Sequence, residues 1–179
     1  LVKKAKVDLP QLKLVLIEEK TEQLLEKLRH AEIDAALLAL PVADEAFDYT
    51  TLFEDEFFLA VPPDHVLASC KTVTQDCLAS YRLLLLEEGH CLRDQALEVC
   101  HKHNIDEDSD FRATSLETLR QMVKGGTGIT FMPKIAVQAG EEGICYIPFE
   151  APSPKRSIGL FWRKSSSRQP VMALLSSMF

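Results

Sequence analysis

The chain lacks both a long apolar run and an excess of positive charge. Its longest apolar segment, Ala35 to Leu40 with its neighbours, has the length of a strand, whereas a helix that spans a bilayer needs about 20 apolar residues. Lysine and arginine number 20 against 27 aspartates and glutamates, a formal net charge of -7. Nonspecific binding to nucleic acid depends on clustered basic side chains. The composition therefore argues against a membrane-embedded chain and against a DNA-binding surface.

An even set of cysteines and a signal-peptide hydrophobic region are also missing. The chain starts Leu-Val-Lys-Lys-Ala-Lys, which is not the apolar region of a signal peptide. Its five cysteines cannot all pair within one chain. We therefore expect a reducing cytoplasm, where cysteines are buried apolar residues, metal ligands, catalytic groups or redox sensors and permanent disulfides are rare.

An alternation of strand-like and helix-like segments predicts an α/β fold. With 179 residues, 46% of them hydrophobic and 26% charged, the chain suits one large domain or two small lobes. Apolar patterns predict strands at 12–17, 35–40, 50–53, 57–61, 82–86, 111–113, 128–133 and 157–162. Helical spacing predicts helices at 21–33, 91–103, 115–124 and 171–179.

Local signals add detail to these elements. Thr21 is predicted to cap the first helix, and Thr114 with Glu117 has the spacing of a capping box. The apolar run 35–40 is predicted to be a parallel strand beside 12–17.

Two proline-containing segments divide the chain into lobes. Pro62-Pro63 stops the fourth predicted strand, and 151–156 resembles a linker that crosses between lobes. We predict one lobe from 1–53 plus 158–179 and a second from 54–157, with a cleft between them.

The segment Gly89 to His103, GHCLRDQALEVCHKH, carries the most chemistry. Cys91 follows a glycine at a predicted helix start, where free backbone N–H groups and the helix dipole favour a thiolate. Arg93 adds positive charge, whereas Glu87, Glu88 and Asp94 would oppose the thiolate if they pointed inward.

Cys91 and Cys100 cannot bond while they share a regular helix. Their spacing corresponds to a rise of about 13.5 Å and to opposite helix faces, whereas a disulfide needs Cα atoms within about 7 Å. A Cys91–Cys100 disulfide would close a ten-residue ring and contribute roughly 2.7 kcal/mol of stability by restricting the unfolded chain. This is comparable with the free energy needed to melt a short helix. A two-state switch is therefore thermodynamically accessible.

Other interpretations of the cysteines stay open. Cys91 and Cys100 could both be core residues of a helix. A zinc site would draw on His90, Cys91, Cys100, His101 and His103, but this spacing matches no compact zinc finger. The remaining cysteines, expected to be packing or surface thiols, are Cys70, Cys77 and Cys145.

The segment 89–96 with Cys100, followed by FRATSLETLR at 111–120, resembles the regulatory domain of the hydrogen-peroxide-sensing LysR-type transcription regulators. The similarity extends along nearly the whole chain, and 122–133 carries the more general LysR-type signature. It implies a fold like that of type II periplasmic binding proteins, with two α/β lobes joined by crossing strands. The family has an N-terminal winged helix-turn-helix, and on this resemblance we expect the given sequence to start after that domain and after the family's first regulatory-domain strand.

The resemblance implies a redox role for the cysteine pair. Cys91 would be oxidised by peroxide to a sulfenic acid, and Cys100 would condense with it to a reversible disulfide. It further implies residues that orient or charge-stabilise the reacting groups or lie near the peroxide pocket: His90, Arg93, Thr21 and Arg156. No cofactor and no metal are implied.

The same resemblance implies partners and alternatives. The regulatory domains would form a homodimer, and the full-length protein would form a tetramer that binds DNA through its winged helix-turn-helix and contacts RNA polymerase. Thioredoxin or glutaredoxin would reduce the disulfide, and no binding to a membrane is implied. A different possibility is an effector domain that binds a small organic anion in the cleft through Thr114, Ser115 and Thr127. A third is a thiol peroxidase with an external reductant.

Overall fold

The computed structural model describes residues 2–179, apart from the side chain of Ser109. Its helices are α1 (Val2–Asp8), α2 (Thr21–Arg29), α3 (Cys91–His103), α4 (Leu116–Lys124) and α5 (Gln169–Ser176). Its strands are β1 (Ala35–Ala39), β2 (Phe47–Val61), β3 (Arg82–Leu86), β4 (Asp106–Ala113), β5 (Thr130–Pro133), β6 (Cys145–Pro148) and β7 (Lys155–Arg163). The predicted α/β fold class is therefore confirmed. Within residues 2–179, no helix has the length and apolar character needed to cross a membrane.

The chain divides into two compact units. Unit 1 runs up to Glu54 and resumes from Ser157 to Phe179, and unit 2 is Asp55–Arg156. In unit 1, β1 pairs antiparallel with β7, and β7 also borders β2. Buried Leu28 of α2 packs with Phe161 of β7 in this unit's core. Helix α2 buries Leu28 because its apolar residues recur at helical spacing.

Unit 2 has the larger core. The second part of β2 pairs antiparallel with β5 and β6, and β3 pairs parallel with β4. Strand β3 reads Arg-Leu-Leu-Leu-Leu and is buried after its first residue, as is typical of a strand covered on both faces. Helices α3 and α4 both contact β3 and β4. The buried strand β3 therefore precedes α3 in the chain and packs against it.

Two predicted elements in this region are confirmed. Strand β3 has the predicted bounds, and α3 begins at Cys91 and ends at His103 as predicted. Strand β4 is longer than the predicted 111–113 because it continues the pairing with β3 back to Asp106.

The predicted strand at 12–17 is wrong. This segment is in no strand, and Val15, Leu16 and Ile17 are exposed. The prediction that β1 is parallel to it is wrong as well, because within residues 2–179 β1 pairs only with β7. An apolar pattern forms a strand only when another backbone satisfies its N–H and C=O groups.

The two predicted caps are also wrong. Lys20 is the N-cap of α2, and Thr21 is the first helical residue. Ser115 caps α4, because its Oγ accepts a hydrogen bond of 3.1 Å from the Thr118 N–H. Thr114 therefore forms no capping box with Glu117.

The strand boundaries near the two passages between units also differ from prediction. Strand β2 is continuous, not two strands at 50–53 and 57–61. Strand β7 begins at Lys155, so Arg156 lies in a strand and not in a linker before it.

Candidate functional site at helix α3

The ends of α3 are set by two residues with positive φ. Gly89, with φ of +88°, turns the chain after β3, a conformation that favours glycine. His90 is the N-cap but makes no side-chain capping hydrogen bond. At the other end, Asn104 with φ of +52° donates its N–H to the Cys100 carbonyl. Cys91 is thus the first helical residue, where backbone N–H groups have no intrahelical partner.

The two cysteines occupy different environments on one continuous helix. Both are free thiols; Cys91 is partly exposed, whereas Cys100 is only 1% exposed. Regular helix geometry separates the two positions by about 13.5 Å along the axis. The structure therefore shows the shape in which the two sulfur atoms are apart.

The buried position of Cys100 controls its ionisation. Burial, the largest cause, and the nearby Glu107 carboxylate together raise the pKa of the Cys100 thiol to about 11, against smaller opposing effects of a backbone hydrogen bond and of Arg93. Cys100 is consequently a neutral thiol at pH 7. A neutral thiol is a poor nucleophile, so Cys100 is not suited to be the first residue that attacks an oxidant.

Arg93 links α3 to two strands. Its side chain is buried, and its guanidinium donates to both Glu107 carboxylate oxygens, at 2.7 and 2.8 Å, and to the Leu86 carbonyl at 3.0 Å. These hydrogen bonds lower the pKa of Glu107 and keep it ionised at neutral pH. A second arginine also lies near this carboxylate, with Nε of Arg112 at 3.8 Å from Oε1 of Glu107. The charge of Arg93 is therefore matched by a carboxylate at the start of β4.

Two polar atoms near Cys91 have no hydrogen-bond partner among the described residues. They are Nε2 of His90 and Oε1 of Gln95, and both are buried. Gln95 is four residues after Cys91, so the two share one face of α3. His90 Nε2 lies 3.9 Å from Glu87 Oε1. Buried polar atoms without partners are rare, and these two identify a polar environment beside the Cys91 end of the helix.

Gln95 and Glu107 belong to this site but are not among the residues predicted from the sequence. The spacing of four from Cys91 is a signal that identifies Gln95. Glu107 lies on another element, 14 residues from Arg93, and no local pattern reveals that contact.

The structure also gives the local environment of the other two predicted residues. Arg156 donates from Nε at 3.0 Å and from Nη2 at 2.9 Å to one oxygen of the buried Asp55, and its guanidinium lies 6.0 Å from the Phe57 ring centroid. Thr21 begins α2 in unit 1. The structure thus brings Arg93 to Glu107 and Arg156 to Asp55.

The structure also locates groups considered for other chemistry. The Ser115 hydroxyl caps α4 by accepting a hydrogen bond from the Thr118 N–H. Cys70 and Cys77 are exposed, and Cys145 is partly exposed. In the part of the chain that the structure describes, no three His, Cys, Asp or Glu side chains form a group that could hold a metal ion.

The family follows from comparison with known proteins. The LysR substrate-binding domain matches residues 1–179, and the chain belongs to this family. It is 46% identical over 159 residues to the hydrogen peroxide-inducible genes activator of Pectobacterium carotovorum subsp. carotovorum, covering 88% of this chain and 53% of that protein. It is 45% identical over 159 residues to the DNA-binding transcriptional dual regulator OxyR of Escherichia coli (strain K12), covering 88% and 52%. The chain thus spans about half the length of these relatives.

Solved structures show the same similarity. The crystal structure of the reduced form of OxyR has a TM-score of 0.90 and 40% identity, covering 98% of this chain and 84% of that one. The oxidised form of OxyR has a TM-score of 0.88 and 42% identity, with the same coverage.

Proposed function

We propose that this chain is the peroxide-sensing regulatory domain of a LysR-type transcription regulator, and that a reversible Cys91–Cys100 disulfide is its signal. The observation that carries the proposal is the difference between the two thiols. Cys91 is partly exposed at a helix N-terminus, and Cys100 is buried nine residues later on the same helix with a raised pKa. The relatives described above are transcription regulators, so the domain signals and does not turn over substrate.

The proposed chemistry has two balanced steps. The Cys91 thiolate attacks one peroxide oxygen, the O–O bond breaks, and the departing hydroxide takes a proton to become water. Cys100 then attacks the sulfur of the Cys91 sulfenic acid, forming the S–S bond and releasing a second water. Thioredoxin or glutaredoxin would return both sulfur atoms to thiols by disulfide exchange.

Polar groups around Cys91 support this order of events. In the proposal, His90 and Gln95 supply hydrogen-bonding atoms to peroxide and to the departing oxygen. Arg93 stabilises the helix start that carries Cys91. Thr21 and Arg156 stay proposed participants in peroxide sensing on the family resemblance alone.

The consequence of oxidation is a change of backbone shape. The disulfide requires Cα atoms within about 7 Å, so α3 must unwind between Cys91 and Cys100. Such a bistable segment can alter how regulatory domains pair, as homodimers within a full-length tetramer. The full-length regulator, in the cytoplasm, would bind DNA through a winged helix-turn-helix and would also contact RNA polymerase.

Stoichiometric oxidation tests this function. Reduced protein treated with one equivalent of hydrogen peroxide should give a Cys91–Cys100 disulfide in mass spectrometry, and a Cys91 thiol that stays unreacted would reject the proposal. Cys91→Ser should abolish the reaction, and Cys100→Ser should stop at the sulfenic acid. Cys77→Ser, which removes an exposed thiol, is the matched control and should behave like the unsubstituted protein. Sustained peroxide consumption with thioredoxin would indicate a peroxidase instead.

A further inference from the structure

We infer that Glu107 is a positioning residue of this switch: by binding Arg93 it holds α3 in the helical form, and so it sets how readily the Cys91–Cys100 disulfide forms. The inference rests on the proposed function and extends it to a residue outside the cysteine segment. It is carried by the geometry of the Arg93–Glu107 pair.

The position of Arg93 in the sequence makes this pair sensitive to the switch. Arg93 lies between the two cysteines, inside the segment that must unwind when they bond. In the helical form its guanidinium makes two parallel hydrogen bonds to Glu107, at 2.7 and 2.8 Å, and a third to Leu86. Unwinding the first turns of α3 moves Arg93 away from these acceptors.

Burial makes the pair matter more than a surface ion pair. The Arg93 side chain is 7% exposed and the Glu107 side chain 22%. Bidentate arginine–carboxylate pairs are the stronger kind of charge-assisted hydrogen bond, and removing one partner of a buried pair leaves an uncompensated charge. The pair therefore stabilises the form in which the two thiols are apart.

Glu107 also acts on the second cysteine. Its carboxylate is close enough to Cys100 to raise the pKa of that thiol, in addition to the effect of burial. Glu107 thus contacts α3 near its start and influences it near its end, and both effects disfavour reaction while the helix is intact.

A glutathione equilibrium tests the inference. Reduced protein is equilibrated in buffers of graded glutathione to glutathione-disulfide ratio, quenched with acid, and assayed by mass spectrometry for the Cys91–Cys100 bond. In this exchange the two protein thiols lose two electrons and two protons, and glutathione disulfide takes them up to give two glutathiones. Because Glu107→Gln weakens the helical form, the midpoint should shift roughly tenfold toward more reducing buffers.

Glu117→Gln is the matched control. Glu117 is also a carboxylate of unit 2 paired with a buried arginine, Arg120, but it lies on α4. The midpoint of the Glu117→Gln variant should stay within roughly twofold of that of the unsubstituted protein, because the Glu117 side chain is exposed. If Glu107→Gln does not fold, Arg93→Lys replaces it, since lysine keeps the charge, loses the paired geometry and should shift the midpoint in the same direction.

The outcomes separate the two proposals. If the unsubstituted protein forms no Cys91–Cys100 bond at any ratio, the proposed function fails. If the bond forms but the Glu107→Gln or Arg93→Lys midpoint equals that of the unsubstituted protein, or Glu117→Gln shifts equally, the role of Glu107 is overturned and the proposed function stands.

Discussion

Nδ1 of His103 lies 2.7 Å from Oδ1 of Asp76. This contact joins the last turn of α3 to the 3-10 helix Asp76–Ser80. Asp76→Ala removes this contact and should lower the free energy of unfolding of the reduced protein. Since the aspartate is largely exposed, we expect a loss of up to about 1 kcal/mol. Urea denaturation with a reductant present measures it. Glu142→Ala, at an exposed carboxylate of the same unit, is the control and should leave the unfolding midpoint unchanged.

The buried thiol of Cys100 predicts a pH dependence of stability. Its pKa is raised from 9.0 to about 11 in the folded protein. A raised folded-state pKa contributes stability that is fully present below the unfolded-state pKa and is lost as pH rises through the folded value. The free energy of unfolding of the reduced protein should therefore fall between about pH 9 and pH 11, by about 2 to 3 kcal/mol from this group.

Comparison with a variant isolates that contribution from other groups. Tyr146, whose pKa is raised to about 12 by burial and its Glu141 hydrogen bond, also titrates at high pH. The difference in unfolding free energy between the unsubstituted protein and Cys100→Ser should shrink across this window. A constant difference from pH 8 to pH 11 would contradict the assignment.

The local part of the site was predictable because it depends on neighbours in sequence. A glycine turn, a helical apolar spacing and a cysteine at the helix start identify α3 and its bounds, since helix ends are governed by residues within one turn. The same logic identifies β3, a short run of leucines between polar residues.

What the sequence could not reveal depends on contacts between distant segments. The acidic triplet at 54–56 looks like a break between two strands, yet β2 stays extended through it. Asp55 is tolerated there because Arg156, 101 residues away, pairs with it. In the same way, Arg93 has a charge that the sequence places beside Cys91, while the fold directs it to Glu107. The segment 12–17 shows the reverse case, in which the sequence pattern predicts a strand that the structure does not have. Its apolar pattern has no strand to pair with among residues 2–179.

The Asp55–Arg156 pair predicts a large effect on stability. Asp55 is 3% exposed, and besides Arg156 it accepts a hydrogen bond from the Ile135 N–H at 3.1 Å. Asp55→Ala leaves a mostly buried guanidinium and an amide without their acceptor, so the free energy of unfolding should fall by about 3 kcal/mol. Glu56→Ala is the neighbouring control: it removes an exposed pair with Lys134, and the loss should stay under about 1 kcal/mol. Equal losses in the two variants would show that burial of the Asp55 pair is unimportant.

Gly128 predicts a steric limit at the side chain of Leu84 in β3. A Cβ atom at this position would lie 2.9 Å from Cγ of Leu84, and both Cδ atoms of that side chain would be within 3.3 Å. Leu84 is completely buried and its carbonyl accepts a hydrogen bond of 2.7 Å from the Thr130 hydroxyl, so the leucine has little room to move. Gly128→Ala should therefore lower the free energy of unfolding by about 1 to 3 kcal/mol, as overpacking of a core does.

Gly125→Ala provides the comparison for that prediction. Gly125 has a φ of -75°, which any residue adopts, and a Cβ there would meet nothing closer than 3.4 Å. Because alanine reduces the freedom of the unfolded chain, this variant should be unchanged or slightly more stable. Urea midpoints at constant m-value distinguish the two substitutions. If Gly128→Ala were as stable as Gly125→Ala, Leu84 would have to yield to the added methyl group, and the tight packing of β3 under the helix that carries Cys91 would not hold.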